Sequence, residues 1–135
     1  MVPDIQWGSA DGNGGTAGPL KTQNTAVDGT GTVLTVFTAG ANGSYVSKLI
    51  ARPAGTNIAT VLRVFINNGS TNATAANNIL IGEATLPAST ANAAAALQPV
   101  ELPLNFALPA GYKINVTLGT TVAAGYCASV FGGDY

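Results

Sequence analysis

The sequence predicts an all-β fold: an antiparallel β-sandwich, jelly-roll-like, of seven to eight strands, carrying an extended glycine-rich N-terminal arm. Three observations lead there. Short runs with apolar side chains at every second position recur along the chain. The clearest is in Val100–Leu118, where Val100, Leu102, Leu104, Phe106 and Leu108 alternate with Glu101, Pro103, Asn105 and Ala107; this is the period of a half-buried strand. Turn signals separate the runs: Asn42-Gly43, Pro53-Ala54-Gly55, Asn68-Gly69 and Pro109-Ala110-Gly111. No amphipathic helix of useful length is present. An immunoglobulin-like sandwich is the alternative, weakened because its Cys–Trp–Cys arrangement is missing.

In chain order, residues 1–30 form the expected arm and residues 31–135 the sandwich. Seven of the first 31 residues are glycine, and such chain is costly to order alone. Ile5-Gln6-Trp7 makes a short strand or an anchor, since tryptophan brings a large apolar area. Lys21–Val27 leads into the first core strand, Gly31–Ala39, rich in β-branched residues. Ser44–Arg52 and Ala59–Asn67 follow as strands, then a polar loop over Ser70–Asn78. Ile79–Leu86 is a strand with Gly82 at a bulge. Pro87–Gln98 is a loop, or holds one helical turn at Ala93–Leu97. Val100–Leu118 reads as a β-hairpin closed by Pro109-Ala110-Gly111. Tyr126–Phe131 is the last strand, and Gly132–Tyr135 the terminus.

Composition excludes much chemistry. Only 8% of residues are charged, against about 25% in an average soluble domain. The net charge of -1 leaves little repulsion between copies and favours association. Lys21, Lys48, Arg52, Arg63 and Lys113 are scattered, so no basic patch for nucleic acid forms. No apolar run is long enough for a membrane-spanning helix, and MVPDIQW lacks the basic and apolar regions of a secretory signal. With no histidine and a single cysteine, the usual general base and the usual zinc ligands are absent; no cofactor or metal is expected. Cys127 is expected to be a small buried apolar residue.

Glu83 and Glu101 are the one pair of acids on strands that could face each other as in a glycosidase; two solvent-facing residues are the simpler reading. Asp11-Gly12-Asn13-Gly14-Gly15 opens like a calcium loop but lacks its closing glutamate. Gly12–Gly18 lacks the GK[ST] ending of a phosphate loop. Asn72-Ala73-Thr74 and Asn115-Val116-Thr117 match glycosylation sequons by chance. The partner or interface candidates are Ile5, Trp7, Tyr45, Tyr112 and Tyr135, tyrosine and tryptophan being enriched at interfaces. Tyr112, next to a turn, is expected to be the most exposed tyrosine.

Within residues 31–135, the strand–RPAG–strand unit SYVSKLIARPAGTNIATVLRVFINNGS and the segment LPLNFALPAGYKINVTLGT resemble small jelly-roll structural proteins of tailed bacteriophages, the decoration, head-fibre and tail-associated modules. The resemblance implies a non-enzymatic virion component assembled in the bacterial cytoplasm. Its partners would be the major capsid protein or another virion protein and its own copies, as a homo-oligomer with a trimer favoured. A capsid decoration protein is the first expectation, its arm lying in a groove on a neighbour. A tail or fibre adhesin binding host glycan is the alternative, and a hydrolase using Glu83 and Glu101 a distant third.

Overall fold

The computed structural model describes residues 1–10 and 19–135. The Asp11–Gly15 and Gly12–Gly18 motifs both fall wholly outside them. The strands are β1 (Val2–Trp7), β2 (Ser9–Ala10), β3 (Leu34–Thr38), β4 (Ser44–Pro53), β5 (Thr60–Asn67), β6 (Asn78–Leu86), β7 (Val100–Leu108), β8 (Lys113–Leu118) and β9 (Tyr126–Asp134). Sheet A has the order β1-β9-β4-β7 and sheet B the order β2-β3-β8-β5-β6. All of these ladders are antiparallel.

Set aside the two-residue β2 and count the eight full strands in chain order. The sheets then run 1-8-3-6 and 2-7-4-5, the order of a jelly roll: one long antiparallel ribbon, its halves paired 1 with 8, 2 with 7, 3 with 6 and 4 with 5, wrapped into two sheets. The immunoglobulin-like alternative is excluded by this connectivity.

The order corrects the reading of Val100–Leu118. β7 pairs with β4 in sheet A, and β8 pairs with β3 and β5 in sheet B. The two strands are therefore not a hairpin but an arch across the core. Pro109-Ala110-Gly111 reverses the chain, with Gly111 at φ 76°, but a reversal does not decide whether the next strand lies beside the first at about 4.8 Å or opposite it at about 10 Å. Both strands carry one apolar face, and facing each other buries both. Asn42-Gly43 and Pro53-Ala54-Gly55 likewise join strands of different sheets; β5 and β6 pair directly, through the longer loop after Asn68-Gly69.

The core lies between the sheets: Val46, Leu49 and Ala51 of β4, Leu62 and Val64 of β5, Ile114, Val116 and Leu118 of β8, and Tyr126, Ala128 and Val130 of β9 are all buried. Leu102, Leu104 and Phe106 of β7 pack against it half-buried.

The expected arm contributes to this body. β1 is an edge strand of sheet A, and Leu20 is buried, bridging to Tyr126. Gly8 turns the chain from sheet A toward sheet B; a Cβ there would sit 2.3 Å from Leu34 Cδ2. The bulge expected near Gly82 is present, with Ile81 as the extra residue of β6 opposite Val64/Phe65. Residues 87–99 form a loop, without a helical turn at Ala93–Leu97. β9 runs through Gly132 and Gly133 to Asp134, beyond the expected end at Phe131.

Tyr126 is the one buried tyrosine, and its hydroxyl donates to the Pro87 carbonyl (3.2 Å). Burial pushes its phenol above the ordinary 10.0, opposed by a hydrogen bond with Ser89. The folded state thus holds this proton more tightly than the unfolded chain. Its contribution is complete below the unfolded pKa and is lost as pH rises through the folded one. In chemical denaturation, the stability difference between the wild type and Tyr126→Phe is expected to stay constant up to about pH 9. It should shrink above about pH 10 as the wild type alone loses this term.

Candidate interaction surface

The two outer faces of the sandwich differ. On sheet B, Asn115 and Thr117 are buried although they alternate with the core residues Ile114, Val116 and Leu118. Other parts of the chain reach over them. The Asn115 side chain accepts from Thr35 Oγ1 (2.7 Å) and donates to Asn72 Oδ1 (3.0 Å) in the loop after β5. Gln23 bridges to Leu118, and Gly29 packs against Asn78. The second sequon is thereby closed to modification. Beside this loop lies an open cleft of about 490 Å³ lined by Gly31, Val33, Ser70, Asn72 and Lys113.

On sheet A the outer face carries no such cover among the described residues. The ladder registers set it out in rows. Pro3, Gly133, Tyr45 and Ala107 form one row; Ile5, Phe131, Lys48 and Pro103 the next; Trp7, Ser129, Ile50 and Glu101 the third; Cys127 and Arg52 follow. Ile5 is 52% and Trp7 67% exposed. The polar groups cluster toward β7. Lys48 Nζ lies 3.6 Å from Glu101 Oε1 and 5.5 Å from the Phe131 ring centre. Tyr45 Oη stands 3.5 Å from Asn105 Oδ1. The surface is an apolar strip along β1 and β9 bordered by one exposed ion pair.

Three of the five candidates, Ile5, Trp7 and Tyr45, therefore share this face. Tyr135 lies just past β9, 55% exposed, its N–H donating to the Gly43 carbonyl (3.1 Å). Tyr112 does not belong: its side chain packs half-buried against the core, because the β7–β8 arch folds it inward. The expectation that it is the most exposed tyrosine is thus corrected. Cys127 is also corrected, being exposed on the row beside Arg52.

Ile50 and Phe131 belong to the face and were missed. A bulge between Val46 and Lys48 shifts the phase of β4. Val46 faces the core, and so do Leu49 and Ala51, which simple alternation from Val46 would turn outward. Ile50 is the residue that points away.

Glu83 and Glu101 stand on different sheets, each beside its own cation: Glu83 Oε1 is 3.2 Å from Arg63 Nε, and Glu101 pairs with Lys48. The facing pair that a glycosidase needs is not formed. No three acidic or thiol side chains gather among the described residues, and no helix there is long and apolar enough to cross a membrane. Compared with protein-family models, with curated proteins and with solved structures, the chain matches none.

Proposed function

We propose that this chain is a non-enzymatic structural protein of a phage virion, a decoration or cement protein that lays the outer face of sheet A on the capsid and associates with its own copies. The observation that carries this reading is the uncovered apolar strip. Ile5 and Trp7 are each more than half exposed beside Phe131 and Ile50, and contiguous exposed apolar surface on a folded chain marks an interaction site. The low charge of the whole surface supports it, since crowded copies on a shell must lie close together. A jelly roll suits the task but does not specify it.

The test is occupancy. The chain should be found in purified virions of the phage that encodes it. Added to shells lacking it, Ile50→Thr, which keeps a β-branched residue opposite Glu101, should bind about tenfold more weakly than the wild type, with little change in the melting curve. Equal occupancy of the two proteins would overturn the docking face. One observation favours a fibre module instead: an open groove of about 400 Å³ lined by Ser47, Lys48, Glu101, Pro103 and Asn105, with the Tyr45 hydroxyl at its margin facing Asn105. Glycan-array binding abolished by Tyr45→Ala would favour that reading.

A further inference from the structure

We infer that two copies of this chain pair edge to edge through β1, joining their A sheets into one eight-stranded sheet about a two-fold axis at Ile5. The inference rests on the reading of the chain as a self-associating structural protein and names the contact.

The exposed edge of β1 is defined by its ladder. Gly8 N–H donates to the Ala128 carbonyl (3.0 Å), and Gly8 continues the register that pairs Trp7 with Ser129. Backbone groups alternate direction along a strand. The even residues of β1 thus point theirs at β9, and Pro3, Ile5 and Trp7 point theirs away. Pro3 fits this assignment, since its missing N–H falls on the open side. The described hydrogen bonds give these outward groups no partner.

Of the other three outer strands, β2 is only two residues long, and β7 and β6 are blunted. β7 carries Pro103 and, at its bulge, Asn105 with φ 55°. β6 carries the Ile81 bulge and the Glu83–Arg63 ion pair. Such features stop a strand from recruiting another. β1 has no bulge and no outward charge: Asp4 accepts from Gln6 Nε2 (2.6 Å), and Gln6 in turn holds the Thr38 backbone, donating to its carbonyl and accepting from its N–H (2.9 Å each).

The sequence of β1 matches itself. Antiparallel partners keep their side chains on one face, so only registers that set odd residues opposite odd residues preserve the apolar face. Centring on Asp4 would oppose two carboxylates, and centring on Gln6 would set Pro3 opposite Ser9, which lies past the turn at Gly8 in the other sheet, and leave it unpaired. Centring on Ile5 sets Ile5 against Ile5 of the second copy, Trp7 against Pro3, and Gln6 against Asp4. The two Ile5 residues exchange both bonds, and each Trp7 N–H meets a Pro3 carbonyl. The charge pattern and the position of the proline thus both select a second copy. The contact is isologous and closes after two copies, so it predicts a dimer rather than the trimer expected from sequence.

The test is mass by sedimentation equilibrium on the full chain from about 1 μM to 1 mM, spanning the affinity of a small interface, with amide exchange read at Ile5 and Trp7. The wild type should be dimeric at the upper end, with both amides protected. Ile5→Lys opposes two ammonium groups at the axis and should weaken the dimer at least tenfold. Ile5→Pro, which removes the outward N–H at an edge position where a strand accommodates proline, should do the same while the chain stays folded. A chain monomeric throughout, a trimer, or a dimer unaffected by either variant with Ile5 and Trp7 amides unprotected would overturn the inference. A monomer that still loads onto shells would overturn the strand pairing alone and leave the virion reading standing.

Discussion

Gly132→Ala is expected to destabilise the fold by about 3 kcal/mol or more, lowering the melting temperature by about 10 °C. A Cβ at Gly132 would sit 2.3 Å from the Tyr45 carbonyl oxygen and 3.2 Å from Val46 Cα. Both are backbone atoms of β4, so no side chain can swing aside. The contact arises where β4 bulges against β9, between the Val46↔Gly132 and Lys48↔Phe131 pairs. That bulge turns Lys48 and Ile50 outward, so relief by sliding the strands would disturb the proposed docking face as well. Gly82→Ala is the control. It too lies in a strand beside a bulge, but its Cβ would meet only Leu102 Cδ2 at 3.6 Å, an ordinary contact, and the change should stay within about 0.5 kcal/mol. Urea denaturation of both variants separates the steric cost from the general effect of replacing glycine. Equal stability of the two would refute the close approach.

Gly132 also shows why the end of β9 was not legible. Glycine is poor in strands, and Phe131-Gly132-Gly133 reads as a chain running out. Glycine stands at 132 within the strand because β4 lies too close there for a side chain, a fact about a neighbour distant in sequence. The bulge in β4 acts in the same way: one extra residue, Ser47, reverses which side chains face the core, and SYVSKLIARP alternates in neither phase from end to end. The strand–turn–strand succession was legible because each element carries its own periodicity and turn chemistry. Which sheet a strand joins is not local. Leu102–Leu108 and Ile114–Leu118 each carry one apolar face, which does not tell a hairpin from an arch, and the pairing of β7 with β4 and of β8 with β3 and β5 selects the arch.

The candidate surface was half legible. Ile5 and Trp7 stand out because large apolar residues are rare in the first thirty positions. The burial of Tyr112 is not legible because a position next to a turn suggests exposure, whereas an arch between sheets points one flank of its turn into the core. Sheet B illustrates the converse. Asn115 and Thr117 occupy outward positions and look like solvent-facing polar residues. The Asn72 loop and the segment before β3 lie over that side, and sheet A is left as the open side.

Asn57→Ala is expected to cost about 3 kcal/mol, without touching either face. Asn57 is 4% exposed at the end of the sandwich where three loops meet. Its Oδ1 accepts from the N–H groups of Ala124 (2.9 Å) and Gly125 (2.8 Å), and its Nδ2 donates to the Gly125 carbonyl (2.9 Å). Its own backbone exchanges both bonds with Ser89, at 3.0 and 2.9 Å. One side chain thus fastens the β8–β9 loop to the β4–β5 loop, while its main chain fastens the β6–β7 loop. Alanine keeps the main-chain pair, and the Gly125 carbonyl still accepts from the Ala54 N–H (2.9 Å), but the Ala124 and Gly125 donors lose their amide partner, and buried donors so orphaned cost about 1–3 kcal/mol each unless water reaches them. Asn68→Ala is the comparison: its side chain makes two hydrogen bonds, to Asn77 Oδ1 and from Ser70 N–H, but in solvent, where the loss should stay within about 0.5 kcal/mol. Amide exchange at Ala124 and Gly125 should accelerate in Asn57→Ala and not in Asn68→Ala. Because this end of the sandwich is remote from Ile5, the dimer constant of Asn57→Ala, measured well below its melting temperature, should match the wild type. A matching loss of association would mean that the loops, and not the β1 edge, hold the copies together.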